Sequence, residues 1–211
     1  MYYIGIDLAW SDNYSSGVAV IKNNEVVFCD IIDTLEDILK VIEKYSNAKV
    51  GVDAPLYIPN KTGNRDIEKE FLRDYSSKRL GVYPVNRDLL QNSSGVIRSE
   101  ELVKMIPHTL GDNLFEVYPH ATIMNCFHGS VLPYKRKKGR DVAFIRTQLN
   151  ILQKYLQKVL KGDFTVDISL LKGKALKSHE DKLDAIVCAY TLSYCENNPY
   201  KIYGDIFKVP K

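Results

Sequence analysis

The stretch Tyr2-Tyr3-Ile4-Gly5-Ile6-Asp7-Leu8-Ala9-Trp10 constrains the fold more than any other, because it is an apolar strand that delivers a carboxylate at its far end. Side chains alternate along a strand, so Ile4 and Ile6 share one face while Gly5 and Asp7 share the other. Strand interiors disfavour both Gly and Asp, and a half-buried carboxylate is costly unless a cation or hydrogen-bond donors meet it. The glycine leaves a gap beside the acid, which reads as a place where something binds. The same device recurs in Lys49-Val50-Gly51-Val52-Asp53-Ala54-Pro55-Leu56. If the two strands lie side by side and parallel, Asp7 and Asp53 emerge together at their carboxyl ends, where open α/β sheets place ligands. Adjacent carboxylates repel, and a divalent cation relieves the repulsion.

The segments around these strands supply the rest of a sheet. Residues 17–21 and 26–31 read as strands joined by a hairpin at Lys22-Asn23-Asn24-Glu25, which completes a three-stranded antiparallel meander. Thr34 caps a helix with Asp37 three places on, and Leu35, Ile38, Leu39 and Ile42 follow at helical spacing. Glu36 and Asp37 in that helix read as surface or capping residues. From about 57 to 112 the alternation is lost. Residues 64–73 read as a charged helix, 83–95 as loop and 99–106 as a short helix stopped by Pro107, together an insertion that walls the site. A third apolar strand, 113–120, ends at Pro119 and carries Glu116, which is either a further ligand or the partner of an Arg.

A basic loop, Lys135-Arg136-Lys137-Lys138-Gly139-Arg140, leads into a helix with Phe144, Ile145, Leu149, Leu152, Leu156 and Val159 on its apolar face, closed by Gly162. In the last helix Ser178 is the expected N-cap and Asp181 its capping-box partner. Asp184 has no such explanation, and Ala185 and Ala189 beside it allow close packing. Residues 204–209 read as a short edge strand. The pattern predicts one α/β domain over 1–211, with an insertion at about 57–112 and a mixed five-stranded sheet, an antiparallel meander followed by parallel strands, with helices on both faces.

A chain of 211 residues, 45% apolar and 26% charged, is long enough for a sizeable core and excludes disorder. The net charge of +3 does not announce nucleic-acid binding by itself, because an acidic site and a basic surface cancel in the sum. Cys29, Cys126, Cys188 and Cys195 show no zinc spacing and read as reduced thiols. Without a signal peptide or an apolar run of membrane-span length, the expected location is the cytoplasm, away from membranes. His108, His120 and His128 read as surface or packing residues; His179, beside the acids, is the one histidine placed to shuttle protons.

Gly5-Ile6-Asp7-Leu8-Ala9-Trp10, Gly51-Val52-Asp53-Ala54-Pro55-Leu56 with Arg65 shortly after, Glu116-Val117-Tyr118-Pro119, Lys135 with Gly139 and Arg146, and Lys182-Leu183-Asp184-Ala185 through Tyr190 together resemble the DUF429 proteins, described as predicted nucleases with a ribonuclease H-like fold. The match spans nearly the whole chain. Asp181-x-x-Asp184-Ala185 also resembles the helix start of bacterial Holliday-junction resolvases, which share that fold and use an acid on the first strand, one on the fourth and a pair on the last helix. The resemblance implies phosphodiester hydrolysis by a two-metal-ion mechanism. Asp7, Asp53, Asp184 and Glu116 are then the expected catalytic residues. Asp7, Asp53, Asp181 and Asp184 would hold Mg2+ or Mn2+, whose preference for hard oxygen ligands matches the donors. Arg65, Lys135, Arg140 and Arg146 would contact the phosphates of DNA or RNA.

Two other readings compete. The sheet is a non-catalytic binding or scaffold module with a vestigial acid cluster, or it is an actin-like ATPase or sugar-kinase module, which also opens on Gly-Ile-Asp. The latter requires a second Gly-rich phosphate loop, and the sequence has none. Oligomeric state is left open, a homodimer included.

Overall fold

The computed structural model describes residues 1–91 and 94–211. Strands β1 (Tyr2–Asp7), β2 (Ser16–Lys22) and β3 (Glu25–Ile32) form the expected antiparallel meander. Its second turn places Asn23 (φ 51°) and Asn24 (φ 59°) in the left-handed region, which Asn tolerates better than other side chains. Helix α1 (Leu35–Lys44) starts at Thr34, whose hydroxyl accepts from the Asp37 amide at 3.1 Å, and returns the chain to β4 (Lys49–Val52). The crossover makes β4 parallel to β1, with Gly51 opposite Gly5 and Val52 opposite Ile6. β5 (Leu114–Glu116) is parallel to β4.

The tail departs from expectation. Residues 204–209 do not make an edge strand: Gly204 (φ 53°) and Asp205 (φ 63°) lie in a turn between β6 (Tyr200–Tyr203) and β7 (Phe207–Pro210). β7 lies inside the sheet, next to β5, with Phe207 opposite Glu116, and β6 takes the edge. Among the described residues the sheet therefore has seven strands, not five, in the order β3-β2-β1-β4-β5-β7-β6. Both extra strands are four residues long, too short for alternation to reveal, and Tyr203, Phe207 and Val209 are buried against Phe71 and Tyr75 of the insertion.

Within the insertion are α2 (Asp66–Tyr75), α3 (Arg87–Leu90) and α4 (Arg98–Met105). α3 is a single turn inside the stretch expected to be loop, capped by Asn86, which accepts from the Leu89 amide at 3.1 Å; residues 92 and 93 of that stretch lie outside the described residues. The strand expected over 113–120 stops at Glu116, before Pro119, which instead opens α5 (Pro119–Ile123) at a helix position that needs no N–H. α6 (Val142–Val159) is capped by Asp141, which accepts from the Phe144 amide at 2.6 Å. α7 (Gly173–Cys195) starts well before Ser178, which is not its cap. Lys174, Ala175, Leu176 and Lys177 are good helix formers, so nothing delays the helix until 178.

Apolar layers cover both faces of the sheet. On one, Ile4, Ile6, Val18, Val20, Val50 and Val52 pack with Ile38 and Ile42 of α1 and Leu102 of α4. On the other, Ala19 and Ile21 pack under α6 and α7. α7 crosses β1, β2 and β4 at backbone distance. A methyl group at Gly5 would overlap the Ala185 carbonyl and the Ala189 amide, one at Gly17 would overlap the Asp181 carbonyl, and one at Gly51 would lie 3.1 Å from the Cys188 carbonyl oxygen. The gap beside the strand acids, expected to hold a ligand, is filled by this helix. Among the described residues, no helix is long and apolar enough to cross a membrane.

Candidate active site

Asp7 closes β1, and Asp53 directly follows β4. The Asp53 amide donates to the Ile6 carbonyl at 2.8 Å, continuing the parallel ladder, so the two half-buried side chains leave neighbouring strands on the face that α7 covers. The glycine contacts seat α7 so that Asp184, fully buried, comes into the same electrostatic neighbourhood. Its Oδ1 accepts from the Tyr134 hydroxyl at 2.6 Å, and its Oδ2 is paired with the Lys135 ammonium. Lys135 also faces Glu180 at 3.6 Å, and Lys177 bridges Glu180, at 3.2 Å, and Asp181.

The charges do not balance. Among the described residues, neither the Asp7 nor the Asp53 carboxylate has a hydrogen bond or an ion pair. Burial pushes both up, Lys135 pulls them down, and Asp184 pushes them up again; Asp53 reaches about 7 and Asp7 lies well above the carboxylate range. Burial pushes Lys135 down, but Asp184, Asp7, Glu180 and Asp53 outweigh it and hold the ammonium charged. Burial and the Asp184 carboxylate keep the Tyr134 phenol protonated, so it stays a donor. Among the described residues, no group of three or more His, Cys, Asp or Glu side chains stands ready-made around a metal position. Lys135 is the cation at the centre of this cluster.

A family model described as "Protein of unknown function (DUF429)" matches residues 5–205, a span that takes in every acid of the cluster. The chain belongs to the DUF429 family. No curated protein and no solved structure matches it.

This DUF429 chain brings together Asp7, Asp53, Asp181, Asp184 and Lys135 of the residues singled out in the sequence, and places the others elsewhere. Glu116 is the partner of an Arg: Arg65 Nη1 and Nη2 reach its two oxygens at 2.7 Å each, and the Leu56 amide donates at 2.7 Å. Arg65 is buried there, binding Glu68 and the Tyr57 carbonyl as well, and faces no solvent from which a phosphate could come. Arg140 donates to the Lys135 carbonyl at 2.9 Å and Arg146 to the Leu171 carbonyl at 3.0 Å. Asp181 is the Lys177 partner and not half of a capping box.

Three residues of the cluster escaped the sequence. Glu180 lies one turn before Asp184, a relation that reading the helix from Gly173 would have exposed. Tyr134 gives no signal beyond preceding Lys135. His120 sits at the start of α5, just past β5, its ring 4.8 Å from that of Tyr134. Burial pulls it down to about 4, so it is neutral, and its Nδ1 is buried with no hydrogen bond. His179, the expected shuttle, instead meets Gln153 at 2.9 Å beneath α6.

Proposed function

We propose that this chain is a ribonuclease H-like nuclease that hydrolyses nucleic-acid phosphodiester bonds at the Asp7–Asp53–Asp184 cluster, with Mg2+ or Mn2+ in a two-metal-ion mechanism. The observation that carries the reading is the convergence of acids from β1, the end of β4 and α7, with two carboxylates left without partners. The ribonuclease H-like assignment draws support from a meander followed by the parallel strands β4 and β5, with the long last helix across β1.

The donors fit hard divalent cations, being carboxylate oxygens only, raised by burial and short of positive charge. Asp7, Asp53 and Asp184 would hold them, with Glu180 and Asp181 beside them. Bound there, such ions would activate water and stabilise the leaving oxygen. The Lys135 side chain remains 30% exposed, which lets its ammonium leave Asp184 for a phosphate oxygen. Tyr134 holds the orientation of Asp184 through its hydroxyl. His120, neutral and unengaged at Nδ1, is the neighbouring group able to carry a proton.

A binding or scaffold module is the second reading, favoured by the Lys135 ammonium on Asp184 and by three arginines committed to internal acceptors. Mn2+ calorimetry and a cleavage screen over single strands, duplexes and junctions of DNA and RNA separate the two. The nuclease reading expects Mn2+-dependent cleavage that falls to background in Asp7→Asn. Cleavage that survives this change in purified protein removes the site, and absence of both Mn2+ binding and cleavage leaves the scaffold.

A further inference from the structure

The five acids of the cluster are not treated alike. Among the described residues, the Asp7 and Asp53 carboxylates on the strands have no hydrogen bond or ion pair, whereas all three acids of α7 are held by lysines. Lys135 sits on Asp184 and faces Glu180 at 3.6 Å, while Lys177 reaches Glu180 at 3.2 Å and also pairs with Asp181. Glu180 thus lies between two ammonium groups. The acids are largely buried, but the Lys177 side chain is 57% exposed and that of Lys135 is partly so. The stems of both lysines are anchored and their heads are not. Arg140 donates to the Lys135 and Pro133 carbonyls at 2.9 and 3.3 Å, and the neighbouring Tyr134 is buried on Asp184, so the main chain at Lys135 is fixed. Lys177 stands on α7 one turn before Asp181. Each ammonium can therefore leave its carboxylate by a change of side-chain rotamer, with no movement of the backbone.

We infer that Lys135 and Lys177 are the phosphate-contacting residues of this site and form a latch on it: they hold the α7 acids while no nucleic acid is bound and release them when a phosphodiester takes their ammonium groups. Nucleic acid and divalent cation then bind with positive coupling. The inference rests on the nuclease reading above and adds the order in which its site is filled. Without nucleic acid, the lysines compete with a divalent cation for the α7 acids, and only Asp7 and Asp53 are free to take one. A phosphodiester that draws both ammonium groups onto its oxygens strips the α7 acids of their partners. The reverse holds as well: the lysines, displaced from those acids when a divalent cation is bound, become free to meet a phosphate, and linkage makes the two effects equal. Arg65, Arg140 and Arg146 are bound to internal acceptors, which leaves Lys135 and Lys177 as the cations that touch this cluster among the described residues.

The coupling is read as binding and needs no turnover. Fluorescein-labelled DNA and RNA of mixed sequence, as single strands, duplexes and a DNA four-way junction, are titrated with protein in EDTA and in Ca2+ at matched ionic strength, followed by anisotropy. Ca2+ binding is followed by calorimetry with and without the strand that binds best. Wild-type protein should bind that strand about 5- to 150-fold tighter in Ca2+, the usual range of coupling between sites, and Ca2+ tighter by the same factor when the strand is present. Lys135→Gln with Lys177→Gln should bind Ca2+ more tightly than wild type in the absence of nucleic acid, bind the strand more weakly in Ca2+, and lose the coupling. Lys177→Gln alone leaves Asp184 paired, so it covers the case in which the double variant does not fold, and it should move each quantity the same way by less. Strand affinity that is equal in EDTA and Ca2+, or Ca2+ binding that Lys177→Gln weakens, overturns the latch while Mn2+-dependent cleavage keeps the nuclease reading. Strand affinity in Ca2+ unchanged by either variant overturns it too. Absence of binding by every strand and by Ca2+ and Mn2+ removes both.

Discussion

Two groups of charged side chains lie on this sheet, and they are opposites. At β5 and α2, Arg65 is surrounded by Glu68, Glu116 and the Tyr57 carbonyl, with ion-pair contacts of 2.5–2.7 Å and every side chain of the set nearly dry. At the carboxyl ends of β1 and β4, Asp7, Asp53, Glu180, Asp181 and Asp184 have, among the described residues, only Lys135 and Lys177 as cationic partners, and two of the acids touch neither. Both sets look alike in sequence, as acids at strand ends with basic residues nearby. Burial of charge therefore does not separate brace from site; what separates them is whether the partners suffice. The first set ties the insertion to the sheet. The second is left wanting a cation.

The largest effect expected from this contrast is on the brace. Arg65→Met leaves Glu68 and Glu116 buried without a partner and should lower unfolding free energy in urea by about 3–5 kcal/mol. A loss under 1 kcal/mol, roughly that of an exposed pair, would erase the distinction. Next comes the acid cluster. Asp53 titrates near 7 in the folded chain and near 4 when unfolded, so the folded state binds its proton more tightly. That contribution is fully present below about 4 and is lost as pH rises through about 7. Thermal melts in EDTA should show about 1–3 kcal/mol lost between pH 5 and 8, a loss that Asp53→Asn flattens and that Mn2+ reverses. A flat wild-type profile would mean the carboxylates are satisfied after all.

Removing the resident cation sharpens the same point. Lys135→Gln should tighten Mn2+ binding about tenfold by calorimetry, because the ammonium no longer competes for Asp184. Weaker Mn2+ binding would show that Lys135 supports the ion's site and does not compete for it. The smallest effect concerns the basic loop. Arg140→Gln and Arg146→Gln should leave the salt dependence of oligonucleotide binding unchanged, since both guanidinium groups serve carbonyls. Lys137→Gln with Lys138→Gln, both exposed, should lower the log–log slope by about 1–2. Equal slopes in both double variants would place the substrate elsewhere.

The meander, α1 and the parallel β4 were legible because each has a periodicity or a cap that is local: the Asn23-Asn24 turn, the Thr34–Asp37 cap, the β-branched runs. Asp7, Asp53 and Asp184 stood out because strand and helix chemistry could not explain them. What sequence could not supply was partner choice across long separations. Glu116 meets Arg65, and Asp184 meets Tyr134 and Lys135, through tertiary packing that no spacing encodes. The start of α7 was misplaced by a serviceable capping pattern at Ser178 inside a continuous run of helix formers, and Glu180 was missed with it.

The glycines of β1 and β4 carry a consequence for how the cluster tolerates change. Because Gly5 and Gly51 set main chain against main chain, the stand-off of α7 from the sheet is fixed by peptide units, which cannot be repacked. Aliphatic residues elsewhere can drift while the acids keep their mutual spacing. A single added methyl at Gly5, far smaller than any swap of a charged group, would prise the helix outward and take Asp184 with it. The tolerance of the whole assembly is thus set at its smallest residue.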